Sequence, residues 1–221
     1  TIIIDKGFGI KTFPKPIVEA PESIKHLSKA VAKVMRIDGS SGTGFFISED
    51  GLFITNEHVV PSHSCQANRC PGTKLIRDFR WGGENETFTE FDVLAHSESS
   101  GELDFTLLKV KLQDGEKVPF LQVELDKSEY EFSEGSTKSY KAIGYPGGAS
   151  LRFTNVKPIK QKGFNIDLLG LLIPGNSGGP LIDESTGKVI GLVKATRTAF
   201  IKEDAESTSH QTRARASSML D

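Results

Sequence analysis

Three short segments of this sequence carry a serine, a histidine and an aspartate in settings that suit nucleophilic catalysis. Ser177 lies within Gly-Asn-Ser-Gly-Gly-Pro-Leu, His58 within Thr-Asn-Glu-His-Val-Val, and Asp104 within Leu-Asp-Phe-Thr-Leu-Leu-Lys-Val. A serine hydroxyl is a poor nucleophile at neutral pH, and a neutral imidazole within hydrogen-bond reach can activate it. A buried carboxylate on the second ring nitrogen fixes the tautomer of the imidazole. We therefore predict that His58, Asp104 and Ser177 form a catalytic triad.

The glycines around Ser177 suit the stabilisation of an oxyanion. Gly175 precedes Ser177 by two positions, and Gly178 and Gly179 follow it directly. Glycine adopts turn geometries closed to other residues and lets a substrate carbonyl approach the main chain. Two aligned backbone N–H groups stabilise the charge of a tetrahedral intermediate. The N–H groups of Gly175 and Ser177 are the predicted oxyanion hole.

Short strands must position these side chains. The 221-residue chain contains 22 Gly and 14 Phe, and many short apolar runs alternate with Gly-containing turns. This pattern predicts an all-β fold, either a barrel or a sandwich, because periodicity alone does not distinguish the two. A β-hairpin turn is predicted at residues 48–51, between two apolar runs, because Asp-Gly supplies the backbone angles that a tight turn requires. The predicted strands cover residues 31–37, 44–48, 52–55, 87–95, 105–110, 120–124, 138–144, 154–159, 179–182 and 189–194.

Prolines and polar breaks suggest how the chain is divided. Pro14, Pro16 and Pro21 predict that residues 1–30 are an extension, with a short helix between residues 24 and 32. The polar break at residues 113–117 predicts one unit over residues 31–112 and a second over residues 113–221. Residues 61–85 read as a long polar loop, and a C-terminal helix is a further possibility at residues 210–220.

The only two cysteines, Cys65 and Cys70, lie in that polar loop. We predict a disulfide that closes a small surface loop, which implies an oxidising, extracytoplasmic compartment and a signal peptide removed before Thr1. Two free thiols in a cytosolic protein are the alternative. A metal site with His63 is disfavoured, because it offers three ligands and lacks the usual C-x-x-C spacing.

Composition argues against several classes of partner. The formal charge of −2 and the pI near 6.2 give no basic footprint for nucleic acid. No apolar run approaches the roughly 18 residues that a membrane helix needs. The predicted chemistry, an activated serine hydroxyl, requires no cofactor and no metal.

Taken together, the three segments resemble the signature segments of chymotrypsin-fold serine proteases, which share the chain order His, Asp, Ser. The sequences Ser-Gly-Thr-Gly-Phe-Phe-Ile, Ala-Ile-Gly-Tyr-Pro-Gly and Gly-Lys-Val-Ile-Gly-Leu are similar to the bacterial HtrA-like branch. The resemblance runs from about residue 31 to about residue 196. Fewer than 30 residues follow the last predicted strand, too few for the PDZ domain of HtrA proteins, so we expect either a protease domain without a PDZ domain or a piece of a longer protein.

The resemblance implies two six-stranded antiparallel β-barrels of the chymotrypsin type, with the active site in the cleft between them. The first barrel would carry His58 and Asp104, and the second would carry Ser177. The resemblance implies serine endopeptidase activity on a polypeptide substrate through an acyl-enzyme. HtrA-type enzymes are often trimers built through an N-terminal segment, so residues 1–30 could form a homo-oligomer or could wrap the same subunit.

The same resemblance implies a substrate pocket. Leu171 occupies the position at which trypsin carries an Asp for basic side chains, and Leu172, Lys194, Ala195 and Thr196 would line the pocket with it. An apolar wall favours small or medium aliphatic side chains by burial. Lys194 could extend into solvent or attract an acidic group of the substrate.

Two other functions use the same residues. A protease fold that has lost turnover could serve as a binding or scaffold module, although this chain keeps all three triad positions. An esterase or acyltransferase would use the same triad, and the sequence does not separate it from a peptidase.

Overall fold

The computed structural model describes residues 14–66, 69–77, 85–98, 103–125, 138–195 and 213–217. In these ranges it is built almost wholly from antiparallel strands, with one α-helix, α1 (Glu22–Ser28). No helix within these ranges has the length and apolar character that crossing a membrane requires. The strands are β1 (Lys15–Pro16), β2 (Val31–Met35), β3 (Ser41–Phe46), β4 (Leu52–Thr55), β5 (Lys74–Arg77), β6 (Glu86–Phe88), β7 (Phe91–His96), β8 (Thr106–Val110), β9 (Tyr140–Gly144), β10 (Arg152–Lys162), β11 (Asn165–Leu169), β12 (Pro180–Asp183), β13 (Val189–Ala195) and β14 (Arg213–Ser217).

The first sheet has the order β6-β5-β2-β3-β4-β8-β7, and all its neighbours are antiparallel. The predicted hairpin turn joins β3 to β4, with the Ile47 N–H donating to the Leu52 carbonyl at 2.8 Å. The sheet contains seven strands where six were predicted. The difference includes β5, which lies in the segment predicted to be a polar loop. Leu75 is fully buried there, and burying it favours pairing with β2 over a solvated loop.

The second sheet closes on itself. Its order is β1-β10-β11-β14-β13-β12-β9, and β9 also pairs with β10. Six strands therefore form a closed ring, which leaves no edge exposed within it. The long β10 makes this closure possible because its first half pairs with β9 and its second half with β11. The two curled antiparallel sheets confirm the predicted all-β, two-barrel architecture.

The predicted C-terminal helix is wrong. Residues Arg213–Ser217 form β14, which pairs with β11 on one side and with β13 on the other. Two strands with open edges offer unpaired N–H and C=O groups, and a strand between them satisfies both rows at once. Residues 120–124 also differ from prediction, because they form no strand and make one parallel bridge between Val123 and Val189.

The described part of the predicted extension packs on its own chain. β1 pairs with β10, and the Arg152 guanidinium donates to the Pro14 carbonyl at 3.1 Å. Helix α1 begins directly after Pro21 and buries Ile24. A helix is favoured here because proline is compatible with a helix start. Residues 1–13 lie outside the described ranges.

The site depends on how the two sheets meet. One apolar cluster fills the first sheet and another fills the second, while a third is shared by both. The shared cluster joins Val31, Phe45 and Ile54 of the first sheet to Ile143 and Leu192 of the second. Burial of this common apolar surface fixes the two sheets against each other and so defines the cleft between them.

Candidate active site

His58 lies in the turn that follows β4. The Asn56 carbonyl accepts hydrogen bonds from the N–H groups of Val59 and Val60, both at 3.2 Å, and the two valines are buried in the core of the first sheet. These contacts hold the main chain in place directly after His58. The His58 side chain remains 45% exposed, so its ring is not enclosed by this core.

Asp104 lies two residues before β8 and faces this ring. Its Oδ2 is 2.8 Å from His58 Nδ1, and its Oδ1 accepts the His58 backbone N–H at 3.2 Å. The carboxylate is buried, with 6% of its side chain exposed. A second contact holds the segment, because Asn56 Nδ2 donates to the Asp104 carbonyl at 2.7 Å. The two carboxylate contacts fix both the position and the tautomer of the imidazole.

A third charged group reaches the same carboxylate. Lys194 Nζ lies 2.9 Å from Asp104 Oδ2, the oxygen that also faces His58. Burial of the Asp104 carboxyl opposes its ionisation, but the hydrogen bonds and charges of His58 and Lys194 outweigh burial and hold its pKa well below its usual value. Asp104 is therefore an anion throughout the neutral range.

Ser177 is held between the two sheets. It lies in the turn that leads into β12, is buried, and accepts the Thr43 N–H on its backbone carbonyl at 2.8 Å. The next residue, Gly178, donates to the Val193 carbonyl at 2.8 Å. Gly178 has a φ of +84°, and a Cβ there would lie 2.0 Å from the Thr43 carbonyl, so glycine is required. Ser177 thus lies close to β3 of the first sheet and close in space to Val193, the neighbour of Lys194.

The peptide before Gly175 has a defined orientation. Its carbonyl, that of Pro174, accepts the Gly147 N–H at 2.7 Å and therefore points at the turn Pro146–Gly148. In a trans peptide the N–H points opposite to the carbonyl, so the Gly175 N–H points away from that turn. Gly175 has a φ of +100°, and a Cβ on it would lie 2.3 Å from the Tyr145 carbonyl. This geometry leaves the predicted oxyanion donor directed away from the turn that supports it.

The predicted pocket residues fall into different environments. Leu171 is partly buried, whereas Leu172 is fully buried in the core of the second sheet. Lys194 contacts Asp104. Ala195 ends β13, and nothing is described of its side chain; Thr196 lies outside the described residues.

The predicted disulfide is present. Cys65 and Cys70 are bonded to each other, so neither sulfur is available as a thiolate ligand. Cys70 is buried and packs in the same cluster as Val59 and Val60. The disulfide loop is thereby joined to the segment that carries His58.

Sequence reasoning missed two supporting residues. Thr43 and Asn56 are both fully buried, and each donates a hydrogen bond to the backbone carbonyl of a predicted site residue, Gly175 or Asp104. A signal for Asn56 was available, because it lies two positions before His58 in the quoted segment and an asparagine at the end of a buried strand needs polar partners. Thr43 lies just before the strand predicted at residues 44–48, whereas β3 begins at Ser41, and nothing local to Thr43 indicates a buried hydrogen-bonding role.

Known proteins are similar to this chain in sequence. Residues 42–192 match the model of the trypsin-like peptidase domain. Human serine protease HTRA3 is 28% identical over 169 residues, which cover 73% of this chain and 34% of that protein. The uncharacterized protein y4bJ of Sinorhizobium fredii (strain NBRC 101917 / NGR234) is 30% identical over 200 residues, which cover 86% of this chain and 27% of that protein. The chain thus spans about a quarter to a third of the length of these two relatives.

Solved structures share the fold. The inactive form of the Rv3671c protease superimposes with a TM-score of 0.61 at 21% identity, covering 93% of this chain and 91% of that one. The HtrA-type protease AlgW with a tripeptide superimposes with a TM-score of 0.57 at 22% identity, covering 89% and 58%. With the family model matching more than half of its residues, this chain belongs to the trypsin-like peptidase domain family.

Proposed function

We propose that this chain is a serine endopeptidase that hydrolyses peptide bonds through an acyl-enzyme on Ser177. The observation that carries the proposal is the 2.8 Å contact between His58 Nδ1 and Asp104 Oδ2. With its Nδ1 proton directed at Asp104, the neutral imidazole keeps its lone pair on Nε2. That nitrogen is then the base available to a serine hydroxyl in the cleft.

The reaction follows from these roles. Ser177 Oγ attacks the carbonyl carbon of the scissile bond while its proton moves to His58 Nε2. The oxyanion of the tetrahedral intermediate accepts hydrogen bonds from the N–H groups of Gly175 and Ser177. His58 then protonates the leaving amine, and a water molecule activated by the same nitrogen hydrolyses the acyl-enzyme. Asp104 keeps the imidazole oriented and stabilises its charged form.

A fluorophosphonate probe tests this proposal directly. The native chain should label, while Ser177→Ala and heat-denatured chain should not. Circular dichroism and urea unfolding of Ser177→Ala establish that the variant is folded, so that loss of labelling reports the loss of the nucleophile. A folded native chain that fails to label would overturn the endopeptidase proposal and favour a silent binding module. Comparing matched peptide and ester substrates separates a peptidase from an esterase.

We further infer that the enzyme prefers small or medium aliphatic side chains. The support is Leu171, an apolar and partly buried side chain on the segment that leads to Ser177. Leu171→Asp should move the preference toward Lys and Arg in a peptide library, because a carboxylate in the pocket attracts a cation. Leu171→Ala is the matched control, since it changes volume without adding charge. An unchanged preference in Leu171→Asp would remove Leu171 from the pocket.

An extracytoplasmic location is a second inference. The Cys65–Cys70 disulfide supports it, because glutathione and thioredoxin keep most cytosolic thiols reduced. Alkylation of thiols in freshly lysed source cells, followed by mass spectrometry, should find both cysteines unmodified. Alkylated cysteines would indicate a reducing compartment.

Self-association through residues 1–30 is a third inference, and it now rests on fewer residues. Residues 14–30 pack on their own chain, which leaves residues 1–13 as the segment to test. Sedimentation of the chain with and without residues 1–13 measures this, and equal mass per particle in both would contradict a role for that segment.

A further inference from the structure

One carboxylate oxygen of Asp104 contacts both the ammonium group of Lys194 and the ring of His58, which becomes a cation when it is protonated. His58 Nδ1 lies 2.8 Å from Oδ2 and Lys194 Nζ lies 2.9 Å from it. The two nitrogens are therefore less than about 6 Å apart, a separation at which unit charges interact appreciably near a protein surface. Asp104 Oδ2 thus contacts both the ammonium group of Lys194 and the imidazole ring of His58.

The backbone of β13 fixes the position of Lys194. Val193, the residue before it, donates to the Gly179 carbonyl and accepts the Gly178 N–H, both at 2.8 Å. Lys194 itself pairs with Arg215 of β14 in the ladder. The lysine Cα is thus held by the same strand that supports the Ser177 turn, so the ammonium group reaches Asp104 from a rigid base.

We propose that Lys194 is a positioning residue that sets the lower pH limit of activity, an inference that rests on the proposed function. A lone carboxylate beside an imidazole favours the charged ring, and a charged ring is no longer a base. The ammonium group of Lys194 neutralises part of that carboxylate charge and repels a proton on the ring. The imidazole therefore stays neutral, and active as a base, to lower pH than it would with Asp104 alone.

Titratable side chains on the neighbouring segments have polar partners of their own. Glu57 precedes His58, but its buried carboxylate accepts the Ser62 N–H at 3.2 Å. On the neighbouring β7, the His96 ring faces the Ser97 carbonyl at 3.1 Å. Within the part of the chain that the structure describes, Lys194 is the lysine in contact with Asp104.

The test compares the native chain with Lys194→Met and Lys194→Arg. Lys188→Met is the matched control, because Lys188 pairs with Glu124 at 2.6 Å and its side chain is 38% exposed, against 36% for Lys194. The readout is the rate constant of fluorophosphonate labelling, and kcat/KM for an uncharged peptide, between pH 5 and pH 9. Far-UV circular dichroism establishes that each variant is folded.

In Lys194→Met the acidic limb of the pH profile should move up by about half to one pH unit, a shift reduced from the full Coulomb value by solvent screening. The limb should stay in place in Lys194→Arg and Lys188→Met, and the shift should shrink in 1 M salt. A limb that stays in place in Lys194→Met would overturn the proposal, as would an equal shift in the Lys188→Met control.

A second measurement separates this proposal from the proposed function. The imidazole of His58 can be titrated by NMR in Ser177→Ala, with and without Lys194→Met. Suppose that the native chain never labels but that the midpoint of the His58 titration moves to higher pH in Lys194→Met. This result would overturn the endopeptidase proposal and support the effect of the Lys194 charge on His58. Labelling of the native chain with an unmoved titration would overturn only the role of Lys194.

Discussion

The hydroxyl of Thr43 donates a hydrogen bond of 2.6 Å to the carbonyl oxygen of Gly175 and accepts the Tyr145 N–H at 3.0 Å. Thr43 belongs to β3 of the first sheet, whereas Gly175 belongs to the loop before Ser177. One fully buried side chain of one sheet thus fixes the main chain of the proposed oxyanion hole in the other. The contact couples the packing of the two sheets to the geometry of the site.

Replacing Thr43 with Val should therefore disturb both stability and labelling. The valine keeps the shape but leaves the Gly175 carbonyl and the Tyr145 N–H without their partner, at a cost of about 1 to 3 kcal/mol in the free energy of unfolding. Urea unfolding measures the loss, and fluorophosphonate labelling should slow by at least about tenfold, since the oxyanion donors lose their support. Thr43→Ser keeps the hydroxyl and should stay near the native rate. A native rate in Thr43→Val would contradict this coupling.

A Cβ at Gly175 should damage the site more than it damages the fold. It would lie 2.3 Å from the Tyr145 carbonyl and 2.7 Å from the Gly147 nitrogen, so the loop must move. We expect Gly175→Ala to lower the labelling rate on the order of a hundredfold, the loss typical of a misplaced oxyanion donor.

Gly39→Ala is the matched control for this substitution. Gly39 has a φ of +80°, but a Cβ there would meet nothing within 4 Å. The control should lose about 1 kcal/mol of stability from left-handed backbone strain and keep the native labelling rate. Similar labelling losses in both variants would attribute the effect to general strain and contradict a special role for Gly175.

Asp104 should contribute to the stability of the fold in a pH-dependent way. Burial opposes its ionisation, but His58 and Lys194 hold its pKa below the ordinary value of 3.8. For an acid with a lowered pKa in the folded state, the contribution is present above the unfolded value and is lost as the pH falls toward the folded value. The free energy of unfolding should therefore fall below about pH 4, more steeply in the native chain than in Asp104→Asn.

Urea unfolding at pH 6, 5, 4 and 3 measures these slopes. Asp114→Asn, in the polar turn after β8, is the control, because it removes one carboxylate and leaves the contacts of Asp104 with His58 and Lys194 in place. If the free energy of unfolding of Asp104→Asn falls with pH as steeply as that of the native chain, other carboxylates cause the acid sensitivity.

Removing the disulfide should lower stability by a modest amount. The bridge closes a loop of five residue steps, and the chain-entropy relation gives about 2 kcal/mol for a loop of this size. Cys65→Ala combined with Cys70→Ala should lose about that much in urea unfolding, together with a small packing loss at Cys70 beside Val59. An unchanged midpoint in the double variant would show that the bridge does not constrain the unfolded chain.

The sequence determined which residues are the candidates for chemistry. The types and order of His58, Asp104 and Ser177, with glycines on both sides of the serine, already limit the chemistry to an activated hydroxyl. The short apolar runs between turns predicted strands, and the Asp-Gly pair predicted the hairpin between β3 and β4, because these signals are local. The disulfide was predictable for the same reason, since only two cysteines exist and five positions separate them.

Only the tertiary structure decided the contacts between distant segments. The Lys194–Asp104 pair joins residues of opposite sheets, and nothing local to either residue indicates it. The strand β14 was predicted to be a helix, because its short polar sequence has no strong pattern and its state is set by the two open edges it fills. The role of Thr43 likewise depends on a loop more than a hundred residues away. Local patterns fix local geometry, whereas hydrogen bonds and charges across the cleft exist only once the shared core has brought the two sheets together.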